Sequence, residues 1–362
     1  MEKWSTKQLI EEHAERIKEL KLQGFGRRKL AKIISEETEI PCTTGVMQLA
    51  IHKLNLNDNS PSNKMIVVEE NPKEEIKIPI DDLIKSRIKA YSRKKSKFSK
   101  HYRTIKMECK PFGIWAVGDP HVDSDGCDWQ TLFNHIEIVS KTDGVLSCNL
   151  GDQHNNWVGR LNVLYQDQSM LVSDQWRLSE WMLKDAGLDW LFVIGGNHDG
   201  WAANYGHDPL EWLSKRCGVR FYAPDQLRLD IEWIDRPDVE PYKILSRHFF
   251  KGHSWFHPTH GSNKQAMLGN ANLLLSGHIH TWGQLSTEQM HNRITHAISL
   301  RGYKKQDKYS VQKGFMNNQE YGESCIIIID PDKEGPARTK VFWDIKGGCE
   351  YLTYLRSKYT ID

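Results

Sequence analysis

The stretch Leu150-Gly151-Asp152-Gln153-His154-Asn155-Asn156-Trp157 decides how this sequence is read. It follows Gly144-Val145-Leu146-Ser147-Cys148-Asn149, a short apolar run that reads as a buried strand. A Gly-Asp directly after such a strand delivers a carboxylate to the strand tip, where sheet enzymes bind their ligands. Working outward, four other apolar runs end in the same way. Phe112-Gly113-Ile114-Trp115-Ala116-Val117 leads into Gly118-Asp119-Pro120-His121, and Trp190-Leu191-Phe192-Val193-Ile194 into Gly195-Gly196-Asn197-His198-Asp199. Residues 242–247 lead to His248, and 272–275 to Ser276-Gly277-His278-Ile279-His280. Strand tips of one sheet converge on one edge, so residues far apart in sequence can meet there. Oxygen and imidazole ligands with no thiolate among them suit Mn, Fe or Zn. Asp152 then reads as the bridge of a two-metal site. Glycines ahead of Asp152, Asn197 and His278 let the backbone turn sharply and bring each ligand close to an ion.

Any one of these motifs is common; the set, in this order, resembles the calcineurin-like metallophosphoesterase superfamily over about residues 112–282. The resemblance implies an αββα sandwich of class α/β, with the tail completing the second sheet. It implies two divalent metal ions, Mn2+ first, with Fe, Zn and Mg as alternatives. Asp119, His121 and His280 would bind one ion, Asp152 would bridge, and Asn197, His278 and one more histidine would bind the other. His248 is our choice for that histidine because it directly follows its strand, with His253 and His260 as rivals. His198 would stay off the metals and meet the phosphate, with Asp199 orienting its imidazole. Asn155 stands where many members carry Asp or Arg, and Arg160 would clamp a phosphate oxygen or sit as a surface cation. The run from Asn155 to Leu161 looks like a variant found in phage-borne members. Asp123, Asp125 and Asp128 read as a solvated loop with one helix cap.

Ahead of this core, residues 1–56 read as three helices, about 6–22, 27–37 and 43–54, broken at Gly24-Phe25-Gly26 and Ile40-Pro41. That pattern resembles a helix-turn-helix DNA-binding domain, on which Thr43, Thr44, Gln48 and His52 would face bases. The other reading is a three-helix protein-docking module. Residues 57–110 read as a linker, with a short strand at 65–68, and a basic strap; residues 111–362 form the metallophosphoesterase domain. Ten Lys/Arg and no Asp/Glu lie between Lys85 and Lys106, Lys94 and Lys95 among them; with a whole-chain net charge of +2, the rest of the chain carries −8. A basic strap on an acidic body suggests a polyanion such as DNA; a solvated linker helix is the alternative. Seven Cys without a Cys-x-x-Cys argue against a zinc ribbon and against a disulfide framework. A polar N-terminus and the lack of a long apolar run give the expectation of a cytoplasmic protein, in a bacterial host cell if phage-encoded, with no membrane partner.

Together these readings predict a metal-dependent phosphodiesterase, most simply a DNA nuclease, using two-metal activation of water for in-line attack on phosphorus. A phosphatase or small-molecule phosphodiesterase with a docking module, and a non-catalytic DNA-binding protein with a vestigial metal site, are the competing readings.

Overall fold

The computed structural model describes residues 3–56, 78–99, 101–203, 207–252, 254, 256–305, 311 and 320–359. The strand expected at 65–68 and the rival ligand His253 lie outside the described residues. The chain divides into two compact units, Met1–Arg87 and Ile88–Asp362.

In the first unit, α1 (Thr6–Leu22), α2 (Arg27–Thr38) and α3 (Thr44–Lys53) surround their own core of Leu9, Ile17, Leu20, Leu30, Ile34, Met47 and Ala50. These positions recur every three or four residues, so each helix buries one stripe. The Thr43 hydroxyl accepts the Val46 amide and caps α3, a bond typically worth ~1 kcal/mol. Its side chain is therefore engaged with the helix, whereas Thr44, Gln48 and His52 form an exposed row one turn apart. The basic strap is helical over α4 (Ile80–Ser99), and residues 80–96 are exposed on every side, Lys94 and Lys95 included. Asp81 and Asp82 sit inside its first turn, where carboxylates complement the helix dipole.

The second unit holds two six-stranded sheets. One has the order β12-β11-β2-β3-β4-β5, from β2 (Phe112–Val117), β3 (Val145–Asn149), β4 (Trp190–Ile194), β5 (Phe221–Ala223), β11 (Ser324–Ile329) and β12 (Thr339–Phe342). Its β2 to β5 run parallel, and β11 closes antiparallel on β2. The other has the order β1-β6-β7-β8-β10-β9, from β1 (Tyr102–Met107), β6 (Gln226–Trp233), β7 (Tyr242–Arg247), β8 (Leu273–Ser276), β9 (Gly283–Gln289) and β10 (Arg293–Ser299).

Every residue of β2, β3 and β4 is buried, because both faces of that sheet are covered. Ile114 and Ala116 point into the layer between the sheets, against Leu229, Ile244, Leu275 and Ile298. The alternate Trp115 and Val117 face a helical layer made by α5 (Trp129–Ser140), α8 (Pro209–Arg216) and the last helix, Ile345–Ser357. On the far side, α9 (His260–Leu268) covers Leu245 and Leu274. This is the αββα sandwich that the resemblance implied.

Two stretches differ from expectation. Tyr102–Met107, within the span read as strap, is an edge strand of the second sheet, paired in parallel with β6. Residues 158–186, where Leu161, Leu164, Leu171, Trp176 and Trp181 read from the sequence as the apolar faces of one long helical insert, form instead a 3-10 segment (Gly159–Asp167), α6 (Val172–Glu180) and a π-helical turn (Trp181–Asp185). Side-chain acceptors break the run: Asp125 takes the Ser169 amide and Asp123 takes the Gln168 side chain.

Candidate metal centre

The strand tips do converge. Asp119, His121 and His280 form one cluster of potential ligand atoms; Asp152, His248 and His278 form a second; His121, Asp152 and His198 form a third between them. Within each cluster the donor atoms lie within 4.8 Å of one another. Asp152 belongs to two of these groups, as a bridging carboxylate must.

The two carboxylates are mounted alike. Asp119 uses Oδ2 to accept the His278 amide at 2.7 Å, tying the β2 tip to the β8 tip. Asp152 uses Oδ1 to accept the His198 amide at 2.9 Å, tying the β3 tip to α7 (Asn197–Ala202). Each second oxygen is left facing the cluster, and Asp119 Oδ1 is buried with no hydrogen-bond partner. Glycines make this approach possible. A Cβ on Gly277 would lie 2.1 Å from Asp119 Oδ2, and one on Gly196 2.1 Å from Asp152 Oδ1.

The backbone at the tips is unusual. Asp119, His121, Asp152, His278 and His280 all have left-handed φ, between 41° and 74°. In an extended strand, neighbouring side chains alternate in direction. The left-handed turns bring Asp119 and His121, and likewise His278 and His280, to bear on the same centre.

His248 follows β7 directly and its Nδ1 donates to the Leu150 carbonyl at 2.8 Å. That fixes Nε2 toward Asn197 Oδ1 at 3.0 Å, His278 Nδ1 at 3.0 Å and Asp152 Oδ2 at 3.2 Å. A single proton on Nε2 can serve one of these three atoms; a divalent cation among them would serve all four ligands. His260, by contrast, is exposed at the start of α9 and joins no ligand cluster among the described residues.

The charge balance also fits a cation. Burial pushes the Asp119 carboxyl up to about 8, against the pull of His248. Burial alone would lower His248, but the facing Asp152 raises it to about 10. Burial opposes ionisation of Asp152 too, yet His248, His198 and His121 hold its carboxyl well below the usual range. Burial lowers His121 and His280, which keeps both imidazoles neutral and available as ligands. Two buried carboxylates facing imidazole nitrogens, with a partnerless carboxylate oxygen among them, form a donor set suited to divalent ions.

The positions around the centre correct several sequence expectations. Asp199 does not orient His198. Its buried carboxylate accepts the amides of Asp152 at 2.8 Å, Gly196 at 2.8 Å and Gln153 at 3.1 Å, clamping the β3 and β4 tips together. The His198 Nδ1 is instead bonded to the Asn155 backbone carbonyl, so its Nε2 points toward Asp152 Oδ2, 3.9 Å away. Trp157 and Trp201 pack on the imidazole, with ring centroids at 5.1 and 4.1 Å. The Asn155 side chain is engaged on both sides: Oδ1 accepts from Lys304 Nζ at 3.0 Å and Nδ2 donates to Gln168 Oε1 at 3.2 Å. Arg160 is exposed on the 3-10 segment. Asp123 is fully buried rather than solvated, accepting the Asn155 amide at 2.8 Å. Asp128 is the expected cap, of α5.

No protein-family model matches the chain, and no curated protein matches it. Solved structures do. Structural neighbours of the chain include calcineurin-like phosphoesterases. YfkN of Bacillus subtilis, a calcineurin-like phosphoesterase, is 12% identical, with a match covering 69% of this chain and 98% of that one at a TM-score of 0.32. A predicted phosphoesterase from Streptococcus pneumoniae TIGR4 is 16% identical, covering 64% and 97%, with a TM-score of 0.29. Vacuolar Protein Sorting 29 from Cryptosporidium parvum is 11% identical, covering 64% and 96%, with a TM-score of 0.34. Among the described residues, no helix is long and apolar enough to cross a membrane.

Proposed function

We propose that the chain is a metal-dependent phosphodiesterase, and most simply a nuclease acting on DNA. The observation that carries the hydrolase reading is the pair of ligand clusters sharing Asp152, with His198 beside them. Asp119, His121 and His280 would hold one divalent ion and Asn197, His248 and His278 the other, with Asp152 between; Mn2+ is the expected ion. Ions held there supply an activated water and neutralise phosphate oxygens. The protein's own contribution is positioning. Asn155 accepts from His198 Nδ1, which leaves Nε2 as the working nitrogen, and the two indoles keep water from its flanks. His198 would then protonate the departing oxygen, a role worth roughly 10²–10⁴ in rate.

The DNA reading draws on the appendages. The exposed row Thr44, Gln48 and His52 on α3 suits base edges, and the cations of α4 suit a phosphate backbone. A single experiment separates the levels of the proposal. The protein is incubated with Mn2+ and labelled single- and double-stranded DNA, beside a bis-aryl phosphodiester and an aryl monoester. Cleavage of DNA supports the nuclease. Cleavage of the small diester alone retains the diesterase and removes the nuclease, and cleavage of the monoester alone favours a phosphatase.

A further inference from the structure

Two aromatic rings that touch the metal centre also present part of their surface to solvent. Trp201 lies on α7, four residues after Asn197 and three after His198, the spacing that sets side chains on one helix face. Its indole packs on the His198 imidazole, 4.1 Å between centroids, and stays half-buried. Phe249 directly follows His248. Its neighbour Phe250 is buried with Leu245 and Leu274 beneath α9. Phe249 turns elsewhere: its ring centre lies 4.9 Å from that of His278, and the residue is 37% exposed.

The two rings end a single run of contacts that passes through the shared carboxylate. Trp201 packs on His198, and His198 Nε2 lies 3.9 Å from Asp152 Oδ2. That oxygen lies 3.2 Å from His248 Nε2, which in turn lies 3.0 Å from His278 Nδ1, and His278 meets Phe249. One ring therefore borders the histidine assigned to the departing oxygen, and the other borders the second ligand cluster. An aromatic face offers a substrate what an aliphatic side chain does not, a surface on which another planar ring stacks whatever hydrogen-bonding edge it carries. A polar centre with a ring at either border matches a phosphodiester with a planar base on either side of its phosphorus. Bases inside a duplex are stacked on and paired with one another and do not reach such rings; unpaired bases do.

We propose that Trp201 and Phe249 are base-stacking residues, each taking the base of one of the two nucleotides that flank the scissile phosphate, so that the substrate is a strand whose bases are unpaired at the point of cleavage. The proposal rests on the nuclease reading above and narrows its substrate. Stacking of this kind tolerates any base, so the site itself selects for strand state and not for sequence.

The test uses metal-loaded full-length protein and two readouts. Thymidine 5′-phosphate and thymidine 3′-phosphate, which carry the base on opposite sides of the phosphate, are titrated calorimetrically beside methyl phosphate. Labelled DNA of one sequence is cut as a single strand and as a duplex. Each nucleotide should bind the wild type ~10–100-fold more tightly than methyl phosphate, the scale of one base on one ring, and the single strand should be cut faster by a similar factor. Trp201→Ala should abolish the advantage of one nucleotide and Phe249→Ala that of the other, with metal content and methyl phosphate affinity unchanged. Trp201→Phe and Phe249→Tyr, which keep a ring, should keep the advantage. Phe133→Ala is the control, since it removes a ring of similar exposure that stacks on Trp181 in the helical layer. Nucleotides that bind the wild type no better than methyl phosphate, an advantage that survives both alanine variants, an equal loss on all three ligands, or a duplex cut as fast as the single strand overturns the proposal. If the nucleotides bind in a ring-dependent way but no ester is hydrolysed, the stacking role stands and the hydrolase reading is the one that fails.

Discussion

Replacing Gly277 by alanine isolates the geometry on which the metal centre depends. The backbone at Gly277 is not left-handed, so alanine costs nothing in φ; the added methyl is the whole perturbation. That methyl would stand 2.1 Å from Asp119 Oδ2, whereas real Cβ contacts stay beyond 3.0 Å. The carboxylate must therefore retreat by roughly 0.9 Å, and it is held there by the His278 amide at 2.7 Å. A misplacement near 1 Å at a reacting centre costs on the order of 10² in rate, and overpacking of this kind typically ~1–3 kcal/mol in stability. Gly277→Ala should thus lose the ion held by Asp119, His121 and His280, keep much of the ion held near His248, and fall ~100-fold in diester hydrolysis. Metal content by plasma mass spectrometry, Mn2+ titration calorimetry and initial rates would be read together. Gly200→Ala is the control, since a Cβ there meets nothing within 4 Å although it lies in the helix that carries His198. If Gly277→Ala binds two ions with wild-type affinity and turns over normally, Asp119 is not a ligand set by this close approach and the site has been read wrongly.

Other outcomes follow from the same geometry. His198→Ala should retain its metal content and lose ~10²–10⁴ in turnover; equal activity would remove His198 from the chemistry. Lys94→Ala with Lys95→Ala should weaken DNA binding across sequences and lower the slope of log affinity against log salt by about two, as measured by fluorescence anisotropy at several salt concentrations. Burial lowers His154 to about 4 while its Nε2 bonds to the Gln175 carbonyl and Ser179, so between pH ~6.5 and 4 the unfolded chain takes up a proton that the fold refuses. Stability should therefore fall with pH across that window, by about 3 kcal/mol at its acid end, and His154→Gln should flatten the loss in urea melts at pH 7 and 4.5.

The strand tips were legible because burial on both faces writes a mostly apolar run into β2, β3 and β4, and glycines mark places where a ligand presses close. Roles that depend on contacts across the sequence were not. Asp199 adjoins His198 in sequence, which suggests a partnership. Consecutive residues at a helix start point in different directions, however, and its carboxylate turns instead to the amides of the β3 and β4 tips. Asp123 looks like one of three acidic loop residues until the Asn155 amide, 32 positions on, is seen to need an acceptor. The contact of Lys304 with the Asn155 side chain is another that spans the sequence, although Arg301-Gly302-Tyr303-Lys304 follows the β10 strand closely. A lysine in a cation-rich tail gives no sign of burial. The break in 158–186 was hidden because its cause, Asp123 and Asp125, lies on another loop.

The five ligands with left-handed backbone carry one more implication. Aspartate and histidine visit that region at a cost, of order 1–3 kcal/mol for each residue so held. The cluster therefore works like a set spring, kept compressed by the packing of two sheets and relaxed by no substitution that preserves its ligands. Glycine or asparagine at any of the five would ease the chain, so a lineage released from the need to bind ions would gain robustness by discarding them one at a time.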